Sequence, residues 1–328
     1  MKLIDEKSLY EIALELVKRS CTRIAPDAMA LLKRAHSNER NLAAKKMLET
    51  MIKNAELAKE TNKPLCQSPG YPVIYAKIGC ATKMEANIPK IFQKAIIEST
   101  KKGYLRPSIV HPMTRKNPGD NSGRGVPDVE VELDPDIDYA EFIISFKGCG
   151  SEVANISKVL TPVQVGKDWI GIKKLVLEST IAAGGIPCPP TAIGIGIGGQ
   201  MHYAAKLSRK AVSVREWTDI NPDQELAKLE NDLLVSVNSL GIGPAGIGGD
   251  TTALTVKVEM ASTHTAICPV AINFHCWVAR RSGVRIYSDG SVRFKEDMYE
   301  PKNEIIPCKG NPFSANHILF KHRRPRIH

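Results

Sequence analysis

Leu9, Ile12, Ala13, Leu16 and Val17 recur at i, i+3, i+4, i+7 and i+8, the spacing of one apolar helix face. Ser8 and Glu11 stand at capping-box spacing before it, although Asp5 could begin the helix instead. The same period predicts helices over Asp27–Ala35 and from Leu42 to Lys59. The second of these has Met47, Met51, Ala55 and Leu57 among its apolar positions and is stopped by Pro64. Residues 1–62 therefore read as a helical N-terminal part. Beyond them the period changes. Tyr71–Ile78, Val129–Leu133, Glu141–Lys147 and Ala253–Ala261 carry alternating or β-branched residues and read as strands, with Ala266–Arg280 as a further strand ending near Cys276. Ala192–Ile197 has glycine at every second position and predicts a strand approached closely by something else. Helices are expected over Ile88–Lys102, Trp169–Ala183 and Gln224–Ser239. Arg285–Tyr287 and Ser291–Phe294 flank Asp289-Gly290 as a hairpin.

These elements predict a mixed α/β chain in which N-terminal helices precede mixed sheets with Gly- and Pro-rich loops. No internal repeat and no Gly/Ser linker divides the 328 residues, so one domain is expected, with a Pro-containing arm from about residue 300 to 328. No apolar run approaches the ~18–20 residues of a membrane helix, and the acidic start Met1-Lys2-Leu3-Ile4-Asp5-Glu6 lacks a secretory apolar region. A cytoplasmic protein without membrane contact is expected. The net charge is +10, but only Lys321-His322-Arg323-Arg324-Pro325-Arg326 is a dense basic run. Aromatics are scarce and no nucleic-acid motif occurs, so no nucleic-acid partner is expected. An anionic small substrate suits the charge better.

Eight cysteines at irregular spacings, with no Cys-x-x-Cys, disfavour disulfide scaffolds and zinc knuckles. Cys188 stands out, between Gly184-Gly185-Ile186-Pro187 and Pro189-Pro190. Prolines stiffen that loop and the glycines permit close approach, which suits a bulky inorganic group. Cys66 lies between a helix and the turn at Ser68-Pro69-Gly70. Cys276 ends a strand before Trp277 and the basic pair Arg280-Arg281. Three thiolates gathered by folding can hold an iron–sulfur cluster and leave one iron open as a Lewis acid. Cys21 and Cys80 look structural. Cys149, Cys268 and Cys308 compete with the trio, and spacing alone does not choose among them.

Three further segments carry chemistry. Arg115 opens a polar loop, Arg115-Lys116-Asn117-Pro118-Gly119-Asp120-Asn121-Ser122-Gly123, able to bind a carboxylate through the guanidinium fork and backbone amides. Lys147-Gly148-Cys149-Gly150-Ser151 is a Gly-rich turn without the rest of a Walker motif, and Gly194–Gly199 lacks the dinucleotide spacing, so neither predicts a nucleotide site. His264, among Ser262, Thr263 and Thr265 with a cysteine nearby, is a candidate for proton work near the cluster.

In chain order, Pro64-Leu65-Cys66-Gln67, Arg115-Lys116-Asn117 through Gly123-Arg124-Gly125-Val126-Pro127, Lys147–Ser151, Cys188-Pro189-Pro190, Gly241-Ile242-Gly243-Pro244 and His275-Cys276-Trp277 with Arg280-Arg281 resemble the α subunit of iron–sulfur hydro-lyases. That family comprises class I fumarases and L(+)-tartrate dehydratases, and the resemblance runs from about Asn41 to Gly283. It implies a 4Fe-4S cluster on Cys66, Cys188 and Cys276. It implies dicarboxylate contacts from Gln67, Arg115 and the turn Gly148–Gly150, with His264 also at the substrate site. Gly123–Pro127 and the segment after Cys276 are closer to the tartrate dehydratase branch. The family pattern after the first cysteine is Cys-Gln-Asp-Thr-Gly, whereas Ser68 and Pro69 stand here, so a carboxylate is replaced by a hydroxyl. Cys149 stands where the fumarase branch has glycine. The resemblance also implies a separate β-type subunit completing the active site, and the chain is expected to be an obligate α subunit.

Overall fold

A computed structural model of the chain describes residues 4–80 and 82–300. The expected arm beyond Glu300, with its basic run and Cys308, lies outside the described residues. The chain begins with β1 (Ile4–Asp5), α1 (Glu6–Thr22), α2 (Pro26–Asn38) and α3 (Leu42–Thr61), then β2 (Tyr71–Gly79), β3 (Met84–Glu85) and α4 (Ile88–Lys101). An irregular stretch leads to β4 (Asp128–Asp134) and β5 (Tyr139–Lys147). Then follow α5 (Cys149–Val153), β6 (Ile156–Leu160), α6 (Pro162–Val165), α7 (Ile170–Ala183), β7 (Thr191–Gly199), α8 (Met201–Ser213) and α9 (Gln224–Asn238). Strands β8 (Ala253–Thr263), β9 (Cys268–His275), β10 (Arg281–Tyr287) and β11 (Val292–Phe294) close the described part.

The first helix is capped by Asp5, whose Oδ1 accepts from the Ser8 amide at 2.8 Å, so the alternative start is the one adopted. Its predicted face buries Leu9, Ala13, Leu16 and Val17, while Ile12 stays half-buried. Asn41 caps α3, its Oδ1 accepting from the Ala43 and Ala44 amides, and Asn62 ends it in the left-handed region. Leu57, expected on the apolar face of α3, is exposed instead.

Two larger sheets carry the fold. One has five strands in the order β11-β10-β5-β2-β4 and the other four in the order β6-β9-β7-β8; β1 and β3 form a separate parallel pair. Helices α1 and α4 cover the five-stranded sheet, packing Leu16, Phe92 and Ile96 against Ile74, Phe142, Ile144 and Val284. Each fully buried aliphatic or aromatic side chain there contributes about 1.5–3 kcal/mol. Helices α7 and α9 pack Val176, Leu229 and Leu233 against Ile193, Val256, Val258 and Ile272 of the four-stranded sheet.

The close approach predicted for β7 is made by α8, a helix the periodicity does not announce. A Cβ at Gly194 would lie 2.0 Å from the Ser208 carbonyl oxygen, and one at Gly196 2.0 Å from that of Ala204. Glycine is required because the helix backbone occupies the space of a side chain. The buried face of α8 is itself small, Ala204, Ser208 and Ala211, which leaves little hydrophobic signal.

The single strand expected over Ala266–Arg280 is corrected by the structure. Residues 268–275 belong to the four-stranded sheet and 281–287 to the five-stranded one, and residues 276–280 cross between them. Ala279 adopts φ 46° in this link.

Candidate active site

Strand register brings the cysteine loops together. In the five-stranded sheet Tyr71 pairs with Lys147 and Arg281 with Ser145, both antiparallel, so Gly70, Gly148 and Arg280 meet at one sheet end. The approach is tight: Gly70 has φ 84° and a Cβ there would lie 1.7 Å from the Lys147 carbonyl oxygen. In the four-stranded sheet Ala192 pairs antiparallel with His275, which places Cys188 and Cys276 at one end. The 276–280 link joins that end to the first.

Hydrogen bonds knit the loops. Leu65 donates its amide to the Cys21 carbonyl at 2.9 Å, and the Asn54 side chain donates to the Leu65 carbonyl at 3.1 Å. The Ser151 hydroxyl donates to Pro187 at 3.3 Å, Ala245 donates its amide to Pro189 at 2.8 Å, and Trp277 donates to the Cys188 carbonyl at 3.5 Å. A Cβ at Gly150 would lie 2.1 Å from the Ile186 carbonyl oxygen, so the Gly148–Gly150 turn rests directly on the Cys188 loop.

Cys276 is buried, Cys66 half-buried and Cys188 exposed, with Cys188 in the left-handed region at φ 55°. Burial pushes the Cys188 thiol up, negative charge at Cys276 and Cys66 adds to this, and Arg280 opposes it. The three sulfurs and that guanidinium thus share one electrostatic neighbourhood. The Cys66 thiol donates to Gln67 Oε1 at 3.6 Å. Arg280 is 2% exposed and its Nη2 donates to the Ser68 carbonyl. Its Nε and Nη1 have no partner, and among the described residues no carboxylate pairs with it.

Among the described residues no three His, Cys, Asp or Glu side chains are grouped to share one metal ion. A multi-iron cluster makes a different demand, because each thiolate takes its own iron. Soft thiol donors beside a buried, unpaired cation suit such an anionic group.

Lys147 lies beneath the same turn. It is 2% exposed and donates to Asn155 Oδ1 at 2.9 Å and to Asn273, with Glu152 2.9 Å away. Burial pulls its ammonium down to about 8 despite Glu152. His275, next to Cys276, is fully buried, edge-on to Trp217, and burial holds it well below the usual imidazole range. The sequence does not single out either as a site residue, although Lys147 opens one motif segment and His275 another.

Arg115 and His264 lie on other loops of the chain. Arg115 is exposed, at φ 60°, in a loop pinned by the buried Asn121, which donates to Thr100 and Arg106 and accepts from Ser108. Among the described residues Arg115 has no ion pair. His264 is in the β8–β9 turn, where its Nδ1 accepts from the Ala266 amide at 3.2 Å. Because β9 runs from that turn to Cys276, eight residues lie along the sheet between them, roughly 25 Å of strand. His264 is thus at the opposite end of the sheet from the cysteines of its own chain. A cavity of about 660 Å³ lies between α2, α9 and β8, away from the cysteines.

Residues 10–285 match the family described as fumarate hydratase (fumerase). The chain belongs to this family. Its similarity to a Methanocaldococcus jannaschii protein, named provisionally as an L(+)-tartrate dehydratase α subunit, is 40% identity over 289 residues, 87% of this chain and 99% of that one. An Escherichia coli L(+)-tartrate dehydratase α subunit is 33% identical over 281 residues, 86% of this chain and 91% of its own. A Geobacillus stearothermophilus protein, provisionally a class I fumarate hydratase, is 34% identical over 310 residues, and the match covers 60% of it. Fumarate hydratases and tartrate dehydratases are hydro-lyases, enzymes that add or remove water. No helix among the described residues is long and apolar enough to cross a membrane.

Proposed function

We propose that the chain is the α subunit of a cytoplasmic iron–sulfur hydro-lyase acting on a hydroxy-dicarboxylate of the malate or tartrate kind. The observation that carries this reading is the meeting of three cysteine loops beside a buried guanidinium with no anion of its own. Cys66, Cys188 and Cys276 would hold a 4Fe-4S cluster, which when bound supplies an open iron as Lewis acid for a hydroxyl leaving group.

The chain's own groups set the rest. Gln67 is exposed beside Cys66 and can orient a carboxylate through its amide. Gly148 and Gly150 hold the turn against Ser68 and Ile186, so its backbone is fixed before substrate arrives. Ser68 presents a hydroxyl, which cannot take up a proton near neutral pH as a carboxylate can. Proton removal therefore falls to a group outside the cysteine loops. A separate β-type subunit is its natural source, since the relatives named above as α subunits are matched over 91–99% of their length, while the match covers only 60% of the fumarate hydratase relative. Arg115, exposed and without an ion pair among the described residues, can meet the second substrate carboxylate on the assembled face.

The test is anaerobic reconstitution of the chain with ferrous iron and sulfide, followed by assay with the β-type subunit on fumarate, mesaconate and L-tartrate. Cluster uptake with turnover of one of them is expected; failure of the wild-type chain to take up a cluster would sink the reading. Ser68 favours one second reading, a cluster-bearing subunit that binds but does not turn over dicarboxylates. Uptake without turnover of any of the three would select it.

A further inference from the structure

Arginine is charged at every accessible pH, and a guanidinium taken out of water without an anion costs several kcal/mol. Arg281, next in the chain and also buried, answers this with Asp27. Arg215 answers it with Asp219, Glu230 and Glu259. Among the described residues the Arg280 side chain has only the Ser68 carbonyl, and two of its nitrogens are unpaired although the residue is 2% exposed. Its charge is felt at Cys188 on one side and at the fully buried Cys21 on the other. Space has been cleared for it: a Cβ at Gly148 would stand 3.2 Å from its Nη2.

We infer that Arg280 is the charge-compensating partner of the anionic group held by Cys66, Cys188 and Cys276, its unpaired N–H groups serving sulfur rather than a substrate carboxylate. Accessibility decides between those two anions. A carboxylate that arrives by diffusion needs a donor open to solvent, and Arg280 is sealed by the Ser68 and Gly148 loops. A resident group assembled within the protein needs no such path. Arg280 is in this sense a positioning residue: its hydrogen bond holds the loop after Cys66, and its charge offsets the thiolates. Donors and positive charge near cluster sulfurs favour the reduced state and retention of metal.

The inference rests on the cluster proposed above, and the experiment separates the two. Full-length wild type, Arg280→Lys and Arg280→Met are reconstituted with ferrous iron and sulfide. Each is then followed by EPR-monitored redox titration and by the rate of cluster loss to a chelator. In Arg280→Met the midpoint potential should fall and cluster loss accelerate about tenfold or more, with Arg280→Lys close to wild type in potential. If Arg280→Met fails to fold, by its circular dichroism, Arg280→Gln takes its place in the same comparison. An Arg280→Met protein with wild-type potential and cluster lifetime overturns the inference. So does one whose only change is a raised KM for the dicarboxylate, or an Arg280→Lys protein shifted as far as the methionine variant. A wild-type chain that takes up no cluster sinks the functional reading instead.

Discussion

Two arginines show opposite ways of keeping a cation inside this protein. Arg215, below β8, is closed in by its own fold. Its Nη2 lies 2.7 Å from Asp219, and its Nη1 lies 2.8 Å from Glu230 and 3.1 Å from Glu259. Burial alone would lower its pKa, yet hydrogen bonds and charge from Asp219 and Glu230 leave it raised. Lys257 joins the set at 2.7 Å from Asp219. Arg280, at the cysteine loops, has no such carboxylates among the described residues. Lys147 is intermediate, with one carboxylate and two amides. The lesson is that buried charge by itself does not mark a binding site. A closed network accounts for itself, and the open one is where the proposed cluster would supply the missing negative charge.

The contrast can be broken at several points. The largest effect is expected from Cys188→Ala, which should abolish cluster uptake, read as loss of the broad visible absorbance after anaerobic reconstitution. Full retention would remove Cys188 from the ligand set. Glu230→Gln opens the closed network, because Glu230 accepts from Arg215, Asn221 and the Val258 amide. Denaturant unfolding should show a loss of about 3 kcal/mol, with no change in cluster content.

Lys147 gives a pH test. Its folded pKa, about 8, lies below its unfolded value, so the unfolded chain binds more protons between the two. Stability attributable to Lys147 is therefore present above about pH 10.4 and is lost as pH falls towards 8. Relative to Lys147→Met, wild type should gain up to about 3 kcal/mol over that window. A flat difference would show that Glu152 offsets the burial. The smallest effect is expected at the far end of the sheet. His264→Ala should change stability by less than about 0.5 kcal/mol and leave cluster uptake by the isolated chain untouched. A cluster lost with His264 would bring that turn back into the site.

Much of the fold was readable from local pattern. Strands β2, β5 and β8 and helices α1, α3, α4 and α9 form where period and caps predict, and Gly290, at φ 87°, turns the expected hairpin. The misses have physical causes. Helix α8 hides because its buried face is Ala and Ser, made small to fit the glycines of β7. The break at 276–280 is hidden because Cys276-Trp277-Val278-Ala279 continues the apolar run of β9; what separates residues 268–275 from 281–287 is that they join different sheets. The site shows the same division. Cys66, Cys188, Cys276 and the Gly148–Gly150 turn are legible as loop chemistry, and the structure gathers them. The separation of His264 from them depends on strand direction, which no local spacing records. The isolation of Arg280 was equally hidden, since a sequence shows a charge but not whether anything answers it.

The 276–280 crossing also has a mechanical side. Cys66 leads into the five-stranded sheet, Cys188 into the four-stranded one, and Cys276 stands at the crossing itself. Any shear of one sheet against the other must pull these three residues apart. A group gripped by all three would be a rivet through both plates, and taking it out would loosen the protein first along the seam between them.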